Sequence, residues 1–388
     1  MLFIPPEIQF IIHTLSKNGF EAYLVGGCVR DMLMDIPPHD YDITTSAPPE
    51  AILTLFEKTV PTGIKHGTVT VINGGIAAEV TTYRADGDYT DHRRPKSVTF
   101  VKSLKEDLAR RDFTVNAIAY NKTKGVKDFF GGIKDINNKI LRAVGEPKKR
   151  FREDALRILR LFRFASVLEF TPEKETLNAA LKCAPLLESI SAERISSELR
   201  KAINGKKPAA LKPLTDIKGL EFIGIKAPDY SKIIPLQGEG LALFGFLYSS
   251  TDNLISALEF LKPSNKEKKL YQNILTLLSL PLPQSKEEIK EMLFKTDPCS
   301  VEKYLYFKNS YFGTDTQNAF NMLSEITENG EPYRISDLKI GGKNLINMGV
   351  SGEKIGETLE YLRGLVVINP EQNRKSILLQ KSEEFNRN

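Results

Sequence analysis

Cysteine and long apolar runs are scarce in this chain of 388 residues. Cys28, Cys183 and Cys299 are widely separated and odd in number, which argues against a disulfide framework or a zinc ribbon. No apolar run reaches the roughly eighteen residues that a membrane-spanning helix needs, and residues 1–6 lack the basic start and apolar core of a secretory leader. We therefore expect free thiols in a cytoplasmic protein without membrane association.

Histidine is also rare, and all four histidines precede residue 93. The second half of the chain therefore lacks the histidine–aspartate dyad of a metal phosphohydrolase. An appended domain of that class is not expected.

Basic residues are in modest excess, with a formal net charge of +5. Their distribution is uneven, because the segment 142–163 is strongly basic and holds only three acidic residues. Its basic members are Arg142, Lys148, Lys149, Arg150, Arg152, Arg157, Arg160 and Arg163. Such a concentration suits a polyanionic partner.

The periodicity of the chain changes near residue 145. Before it, alternating β-like runs occur at 22–25, 41–44, 68–72, 77–83, 117–121 and 140–143. After it, helical periodicity dominates, at 152–168, 186–203, 252–261, 266–280 and 286–294. The length suggests about two to four domains. We predict an α+β protein, with a mixed sheet and helices in an N-terminal head and an all-helical remainder.

The segment Asp40-Tyr41-Asp42 is the most informative in the chain. In an extended segment Asp40 and Asp42 project to one side, while Tyr41 points away. Paired carboxylates raise each other's pKa unless a cation intervenes, and hard oxygen ligands favour Mg²⁺ with substrate phosphates. The spacing indicates phosphoryl chemistry; a solvated turn or strand edge is the alternative.

A glycine pair stands where an apolar strand ends and a helical pattern begins. The backbone N–H groups of Gly26 and Gly27 can approach an anion there, and Arg30 adds a charged fork for phosphate. A glycine pair by itself most often only makes a turn. Next to Asp40 and Asp42, however, it predicts a phosphate cradle facing a metal site.

Two further groups of polar residues are candidates for the same site. Glu79 lies in an alternating strand pattern and is a third acid if that strand adjoins the aspartate pair; an exposed strand glutamate is the alternative. The adjacent arginines Arg110 and Arg111 can clamp triphosphate oxygens, while Asp112 and Asn116 bond ribose hydroxyls or brace the clamp. For this second group, a surface cluster of salt bridges is the alternative.

The basic helix predicted at 152–168 carries a ridge at intervals of three residues, formed by Asp154, Arg157, Arg160 and Arg163. A carboxylate accepts from the exocyclic amine that cytosine and adenine share, and a guanidinium donates to ring nitrogen or carbonyl oxygen. Uracil and guanine would place a carbonyl against the carboxylate, at a cost of about 1–3 kcal/mol. The Asp154–Arg157 pair could thus admit C and A; an ion pair on a solvated face is the alternative.

Together these residues resemble the class II CCA-adding tRNA nucleotidyltransferases, of the tRNA nucleotidyltransferase and poly(A) polymerase family, in a bacterial form. The motifs, in family order, are Gly26-Gly27-x-Val29-Arg30-Asp31 with Asp40-x-Asp42, Arg110-Arg111-Asp112-Phe113-Thr114-x-Asn116-Ala117, Asp128-Phe129-Phe130-Gly131-Gly132, Glu153-Asp154-x-x-Arg157 and Glu193-Arg194-Ile195-x-x-Glu198-Leu199. They cover about residues 22–201, and residues 340–359 are similar to the family's tail. Residues 205–330 carry no matching motif.

The resemblance implies a role for each matching position. Asp40 and Asp42 would bind Mg²⁺, and Glu79 would be the third catalytic acid. The incoming triphosphate would be held by Gly27, Arg30 and Arg111. Asp154 and Arg157 would contact the base, and Arg160 and Arg163 would complete the nucleotide pocket.

The resemblance also implies the architecture and the activity. The fold would be a polymerase-beta-like palm at 1–145, followed by a helical neck at 146–205, a body at 206–300 and a tRNA-binding tail at 301–388. The activity would be template-independent addition of C, C and A to the 3′ end of tRNA from CTP and ATP. Metal-assisted nucleotidyl transfer would release pyrophosphate.

Several alternatives stay open. Addition of CC only or A only is one, although a polar, glycine-containing loop at 84–95 favours complete CCA synthesis. A poly(A) polymerase is less favoured because the C-terminal end is mixed in charge rather than basic. A non-catalytic tRNA-binding protein and a small-molecule nucleotidyltransferase are alternatives from other classes. The sequence does not distinguish Mg²⁺ from Mn²⁺, or a monomer from a homodimer.

Overall fold

A computed structural model of the chain describes residues 2–86 and 98–387. Its strands are, in chain order, β1 (Ala22–Val25), β2 (Tyr41–Thr45), β3 (Thr59–Gly63), β4 (Thr68–Asn73), β5 (Ile76–Thr82), β6 (Arg84–Asp86), β7 (Val98–Phe100), β8 (Ile118–Asn121), β9 (Gly125–Asp128), β10 (Ile140–Leu141) and β11 (Thr171–Pro172). Seven of them form one mixed sheet in the order β3-β4-β5-β2-β1-β8-β9. In this sheet β2 and β5 are parallel and the other neighbours are antiparallel.

The chain folds into two compact units, one formed by Met1–Ile234 and Phe246–Lys262 and the other by Pro235–Gly245 and Pro263–Asn388. The helices are, in chain order, α1 (Pro6–Lys17), α2 (Gly27–Leu33), α3 (Pro49–Leu55), α4 (Leu104–Ala109), α5 (Gly132–Asn137), α6 (Pro147–Glu153), α7 (Leu156–Leu168), α8 (Lys174–Cys183), α9 (Ala192–Ile203), α10 (Lys212–Asp216), α11 (Ala242–Ser250), α12 (Leu254–Leu261), α13 (Asn265–Leu278), α14 (Lys286–Lys295), α15 (Pro298–Phe312), α16 (Gln317–Glu328), α17 (Gly342–Asn347), α18 (Lys354–Ile368) and α19 (Lys375–Arg387). The seven-stranded sheet lies in the first unit, and α13 to α19 lie in the second.

The predicted α+β class, a mixed sheet followed by helices, is confirmed. The strands predicted at 22–25, 41–44, 68–72, 77–83 and 117–121 match β1, β2, β4, β5 and β8 to within one residue at either end. Strand β3 was not predicted, because Pro61 and Gly63 disfavour strands except at a sheet edge, which is where β3 lies. The domain boundaries at 145, 205 and 300 stay predictions.

The single helix predicted at 152–168 is wrong. Helix α6 ends at Glu153 and α7 begins at Leu156, and Asp154 between them has extended backbone angles, with φ −135° and ψ 104°. The Asp154 carboxylate accepts a hydrogen bond from the Leu156 N–H (3.1 Å). This local bond competes with helical continuation. Asp154 is therefore not part of the predicted ridge, whereas Arg157, Arg160 and Arg163 follow one another at intervals of three on α7.

The two faces of the sheet have different environments. On one face α1 packs against β1, β2, β4 and β5, and the alternation of side chains buries Ile43 and Val80 there. On the other face α4 covers β1 and β8, where Tyr23 and Val25 pack with Leu104 and Leu108. The same face carries polar side chains on β2 and β5. The candidate site lies at this polar part of the sheet.

The turn from β9 into α5 explains the Asp128–Gly132 motif. The Asp128 carboxylate accepts hydrogen bonds from the N–H groups of Phe130 (3.3 Å), Gly132 (2.9 Å) and Ile133 (2.9 Å), which stabilises the start of α5. A Cβ on Gly132 would lie 2.2 Å from the Thr114 carbonyl oxygen. Gly132 therefore allows α5 to pack on the turn that follows Arg110 and Arg111.

We expect Gly132→Ala to lower the free energy of unfolding by about 3 kcal/mol or more, because the new methyl group meets backbone that cannot move aside. Gly131→Ala is the matched control. Gly131 has φ 77° and open space around its Cα. Gly131→Ala should therefore lower the free energy of unfolding by only about 1–2 kcal/mol, the strain of an alanine in a left-handed backbone conformation. Urea unfolding of both variants measures the difference. Equal losses would contradict the packing explanation.

The second unit has its own core. Its apolar cluster includes Leu345, Leu362 and Leu378 from α17, α18 and α19. Lys290 on α14 is buried, pairs with Glu331 (2.8 Å) and donates to the Val367 carbonyl (3.0 Å). Over the described ranges, no helix is both long and apolar enough to cross a membrane.

Candidate nucleotide and metal site

The acidic residues lie side by side on two parallel strands. Asp42 on β2 and Glu79 on β5 are register partners, and Asp40 immediately precedes β2. Side chains of register partners point to the same face, and adjacent strands are about 4.8 Å apart. The structure thus places Glu79 directly beside Asp42, an arrangement that the alternating pattern had left open.

Burial raises the pKa of the Asp42 carboxyl to about 6. The Arg111 guanidinium opposes this rise, while the charges of Asp40 and Glu79 add to it. An ionised Asp42 at neutral pH is therefore under electrostatic strain that a bound cation would relieve.

The donor set fits a hard divalent cation, because all three acids offer carboxylate oxygens. Within residues 2–86 and 98–387, no three histidine, cysteine or acidic side chains are gathered closely enough to enclose an ion. The observation that favours a cation here is the pairing of Asp42 with Glu79 on adjacent parallel strands, with Asp40 immediately before β2. The raised pKa of Asp42 agrees with it, since burial, Asp40 and Glu79 raise this pKa and Arg111 is the one guanidinium that lowers it.

The glycine turn adjoins these acids. Gly26 has φ 82°, a left-handed conformation that favours glycine, and it precedes the first residue of α2. A Cβ on Gly26 would lie 3.1 Å from Arg111 Nη1 and 3.6 Å from Asp42 Oδ2. Sequence reasoning selected Gly27 for the site. The structure shows that Gly26 is the position where a side chain would enter the space between Arg111 and Asp42.

The two predicted triphosphate arginines are held differently. Arg30 is mostly buried; its Nη1 donates to Asn116 Oδ1 (2.7 Å) and its Nε to Asp31 Oδ1 (2.9 Å). Arg111 lies 3.6 Å from the buried carboxylate of Asp107. Burial alone would raise the pKa of Asp107, but Arg110 and Arg111 hold it below its usual value. The predicted site did not include Asp107, which forms ion pairs with both arginines and so holds them in place.

A pocket of about 240 Å³ lies next to this region. Its lining residues are Arg110, Arg111, Asp112, Asp154, Leu156, Arg157, Arg160 and Arg194. Four residues predicted to bind nucleotide, Arg111, Asp154, Arg157 and Arg160, therefore line one cavity. Arg163 is not among the lining residues, and its Nε lies 2.9 Å from Glu198 Oε2.

Asp154 and Arg157 have separate partners. Asp154 pairs with Arg194 (2.9 Å) on α9. Arg157 pairs with Glu153 (2.9 Å) and donates to the carbonyls of Arg150 and Arg110. The simple picture of an isolated Asp154–Arg157 pair is therefore incomplete. Arg194 was missed as a site residue, although it stands in the quoted Glu193–Leu199 motif.

Asp112 also lines this pocket. One of its oxygens accepts from Arg160 Nε (2.8 Å), and the other accepts from Asn116 Nδ2 (3.1 Å) and the Phe113 N–H (2.8 Å). Burial opposes ionisation, but Arg160 and Asn116 hold the pKa of Asp112 well below its usual range. Of the two roles predicted for Asp112 and Asn116, these bonds favour bracing of arginines.

The loop predicted at 84–95 falls largely outside the described residues. Arg84 to Asp86 form β6, which pairs with β7. Residues 87–97 lie beyond what the structure describes.

Comparison with known proteins gives matches to two family models and to several relatives. Residues 22–142 match a family described as "Poly A polymerase head domain", and residues 169–222 match "Probable RNA and SrmB- binding site of polymerase A". The chain is 37% identical over 399 residues to the CCA-adding enzyme of Ligilactobacillus salivarius, covering 98% of each chain. It is 38% identical to that of Enterococcus faecalis, covering 96% of this chain and 94% of the relative.

A solved structure extends the likeness to the fold. The crystal structure of the Bacillus stearothermophilus CCA-adding enzyme in complex with CTP matches with a TM-score of 0.82 and 34% identity. The match covers 99% of this chain and 98% of that chain.

Proposed function

This chain belongs to the family of CCA-adding enzymes, and from that premise we propose that it adds C, C and A to the 3′ end of tRNA without a nucleic-acid template. CTP and ATP are the substrates and pyrophosphate is released. The observation that supports this function best is local: the Asp42–Glu79 pair faces a glycine turn and Arg111, next to a pocket lined by arginines.

Dependence on a divalent metal follows from membership of this nucleotidyltransferase family, and we propose Mg²⁺ as the ion. Asp40 and Asp42 would hold it, with Glu79 as the third acid. When bound, Mg²⁺ supplies activation of the primer's 3′-hydroxyl and neutralises charge on the triphosphate. The protein's part is to hold Asp42 and Glu79 side by side on adjacent strands, with Asp40 immediately before β2.

The triphosphate would bind at the turn formed by Gly26 and Gly27. Arg111 is the principal cation, because its Nη1 would lie 3.1 Å from a Cβ on Gly26 and its charge acts on Asp42. Arg30 already bonds Asp31 and Asn116, so it contributes a fixed positive charge behind the turn. Donors held in place in this way reduce the entropy that is lost when the nucleotide binds, and they stabilise the negative charge that develops on the phosphates during the reaction.

The base would enter the pocket lined by Asp154, Arg157 and Arg160. The Asp154 carboxylate accepts from the exocyclic amine of cytosine or adenine, and Arg157 donates to the ring. Arg194 holds Asp154 in place from α9, and Asp112 holds Arg160. Arg163 does not line the pocket and pairs with Glu198. It would therefore support the pocket indirectly.

The rest of the chain would serve the long substrate. We propose that the helical neck, body and tail, at 146–205, 206–300 and 301–388, bind the acceptor arm of tRNA. A cytoplasmic location accords with a tRNA substrate and with the unpaired state of all three cysteines.

The test is extension of tRNA lacking CCA, resolved at single nucleotides. CTP alone should add two residues, ATP alone none, and both together CCA. Products that stop at CC with both nucleotides would indicate a CC-adding enzyme, and extension only of tRNA ending in CC an A-adding one. Long adenosine tails would indicate a poly(A) polymerase. Binding of tRNA without any extension would indicate a non-catalytic tRNA-binding protein.

We also expect Mg²⁺ to stabilise the protein more at pH 7.5 than at pH 5. The folded pKa of Asp42, about 6, lies above its usual 3.8, so the protonated form favours folding. That contribution is complete below about pH 4 and is lost as the pH rises through 6, at a cost of about 3 kcal/mol. Bound Mg²⁺ removes this cost. Thermal unfolding with and without Mg²⁺ at both pH values measures it.

Asp42→Asn is the control for this pH dependence. The variant should be more stable than the wild type at pH 7.5 without metal, and it should lose most of the Mg²⁺-dependent shift. A wild-type shift of the same size at both pH values would contradict the prediction.

A further inference from the structure

Three guanidinium groups surround one aromatic ring in the first unit. Phe164 on α7 is buried, and the Cζ atoms of Arg163, Arg30 and Arg160 lie 4.1, 5.2 and 5.3 Å from its ring centroid. The ring also meets Phe113 edge to face, at 5.9 Å and 85°. Arg30 belongs to α2, whereas Arg160 and Arg163 belong to α7.

Each of these arginines has a carboxylate partner. Arg30 pairs with Asp31, Arg160 with Asp112 and Arg163 with Glu198. These pairs compensate the charges, and Arg30 also donates to Asn116. Hydrogen bonds of this kind engage the edge of a guanidinium, so its flat face is available to an aromatic ring. The negative face of an aromatic ring attracts guanidinium groups and restricts where they lie.

The arginines reach the two ends of the proposed nucleotide site. A Cβ on Gly27 would lie 3.6 Å from Arg30 Nη2, which places Arg30 against the glycine turn. Arg160 lines the pocket together with Asp154 and Arg157. Phe164 itself is only 7% exposed and is not among the lining residues, so it acts through its neighbours.

We infer that Phe164 is a positioning residue for the nucleotide: its ring fixes the guanidiniums of Arg30 and Arg160 relative to each other before the nucleotide binds. This inference rests on the proposed function. A site ordered in advance loses less conformational freedom on binding. Loss of the ring should therefore weaken nucleotide binding more than it slows the chemical step.

The alternative is that Phe164 is an ordinary core residue, and α7 offers a matched control. Phe162 is fully buried two residues earlier, and no guanidinium lies over its ring among the residues that the structure describes. Phe162→Leu and Phe164→Leu remove the same atoms from the same helix. Only the second removes the aromatic face from the arginines.

The experiment compares wild type, Phe164→Leu, Phe164→Tyr and Phe162→Leu as full-length proteins. Equilibrium dialysis with labelled CTP gives Kd, extension of tRNA gives KM and kcat, and thermal unfolding gives stability. We expect Phe164→Leu to raise Kd and KM for CTP about tenfold with kcat within about threefold. Phe164→Tyr, which keeps the ring, should restore both to within about threefold of wild type. Phe162→Leu should lose similar stability with little change in Kd.

A double variant tests the coupling directly. In an Arg160→Gln background, Phe164→Leu should add less than about twofold to Kd, because one of the two arginines that the ring fixes relative to each other is already gone. A full tenfold addition would overturn the inference. So would equal increases in Kd for Phe164→Leu and Phe162→Leu, or failure of tyrosine to restore binding. If Phe164→Leu does not fold, Phe164→Met takes its place with the same expectations.

The dialysis separates this inference from the proposed function. If the wild type binds CTP with the expected variant effects but extends no tRNA, the proposed function fails and the positioning role stands. If the wild type extends tRNA and the two leucine variants bind CTP alike, the positioning role fails alone. A wild type that binds no CTP would overturn both.

Discussion

Asp42→Ala is expected to lower nucleotide incorporation by about a thousandfold or more while tRNA binding stays within about threefold of wild type. Asp42 is the strand-borne acid that lies between Glu79 on β5 and the glycine turn, close to Arg111. Without its carboxylate the site loses the group around which a cation would be held. The tRNA contacts are proposed elsewhere, so they should persist. Single-nucleotide extension and filter binding of labelled tRNA measure the two quantities.

The structure makes this variant informative, because its loss of activity should not come from unfolding. Burial, and after it the charges of Asp40 and Glu79, raises the pKa of Asp42, so removal of this carboxyl removes the cost of keeping it ionised in the folded protein. The variant should therefore unfold at the same temperature as wild type or higher in the absence of metal. Glu57→Ala, which removes an exposed acid of the head, is the control and should keep its activity. Equal loss of incorporation and tRNA binding in Asp42→Ala would contradict a metal role.

Arg157→Ala is expected to relax base choice before it removes chemistry. The discrimination of CTP and ATP against UTP and GTP, as ratios of kcat/KM, should fall by about 10- to 100-fold. Incorporation of CTP itself should fall less. The guanidinium lines the pocket and is fixed by Glu153 and by two backbone carbonyls, so its donors stand in a defined direction. Alanine removes those donors, so the Asp154 carboxylate remains as the group that hydrogen-bonds the base.

Arg157→Lys separates charge from geometry in this prediction. Lysine keeps the positive charge but not the planar fork, so it should retain CTP incorporation while losing most of the discrimination. Steady-state rates with each of the four nucleoside triphosphates, on tRNA lacking CCA, provide the comparison. An unchanged preference for C and A in Arg157→Ala would refute the base-reading role of this residue.

Local features of the site could be predicted from the chain because they depend on short-range geometry. The two-residue period of a strand predicts Asp40 and Asp42 on one side, and the structure places Asp42 on β2 with Asp40 immediately before it. An apolar run that ends in two glycines gives a strand followed by a tight turn. Helix α7 and its three arginines follow from a period near 3.6. The order of the motifs was sufficient to identify the family, which full-length relatives confirm.

Contacts between distant segments could not be predicted in this way. The position of Glu79 beside Asp42 depends on the parallel pairing of β2 and β5, and the partner of Asp154 is Arg194, forty residues away on α9. The break in the helix at Asp154 was missed because one side-chain hydrogen bond outweighs the helical pattern around it.

The sequence by itself determined the head with its paired acids, the glycine turn and the basic helix, because each is encoded by neighbours within a few residues. Only the tertiary structure shows which side chains share the pocket and what a side chain at Gly26 would meet. It also shows that arginines from two helices lie around the ring of Phe164. Packing brings those groups together from remote positions, and neither periodicity nor composition records such contacts.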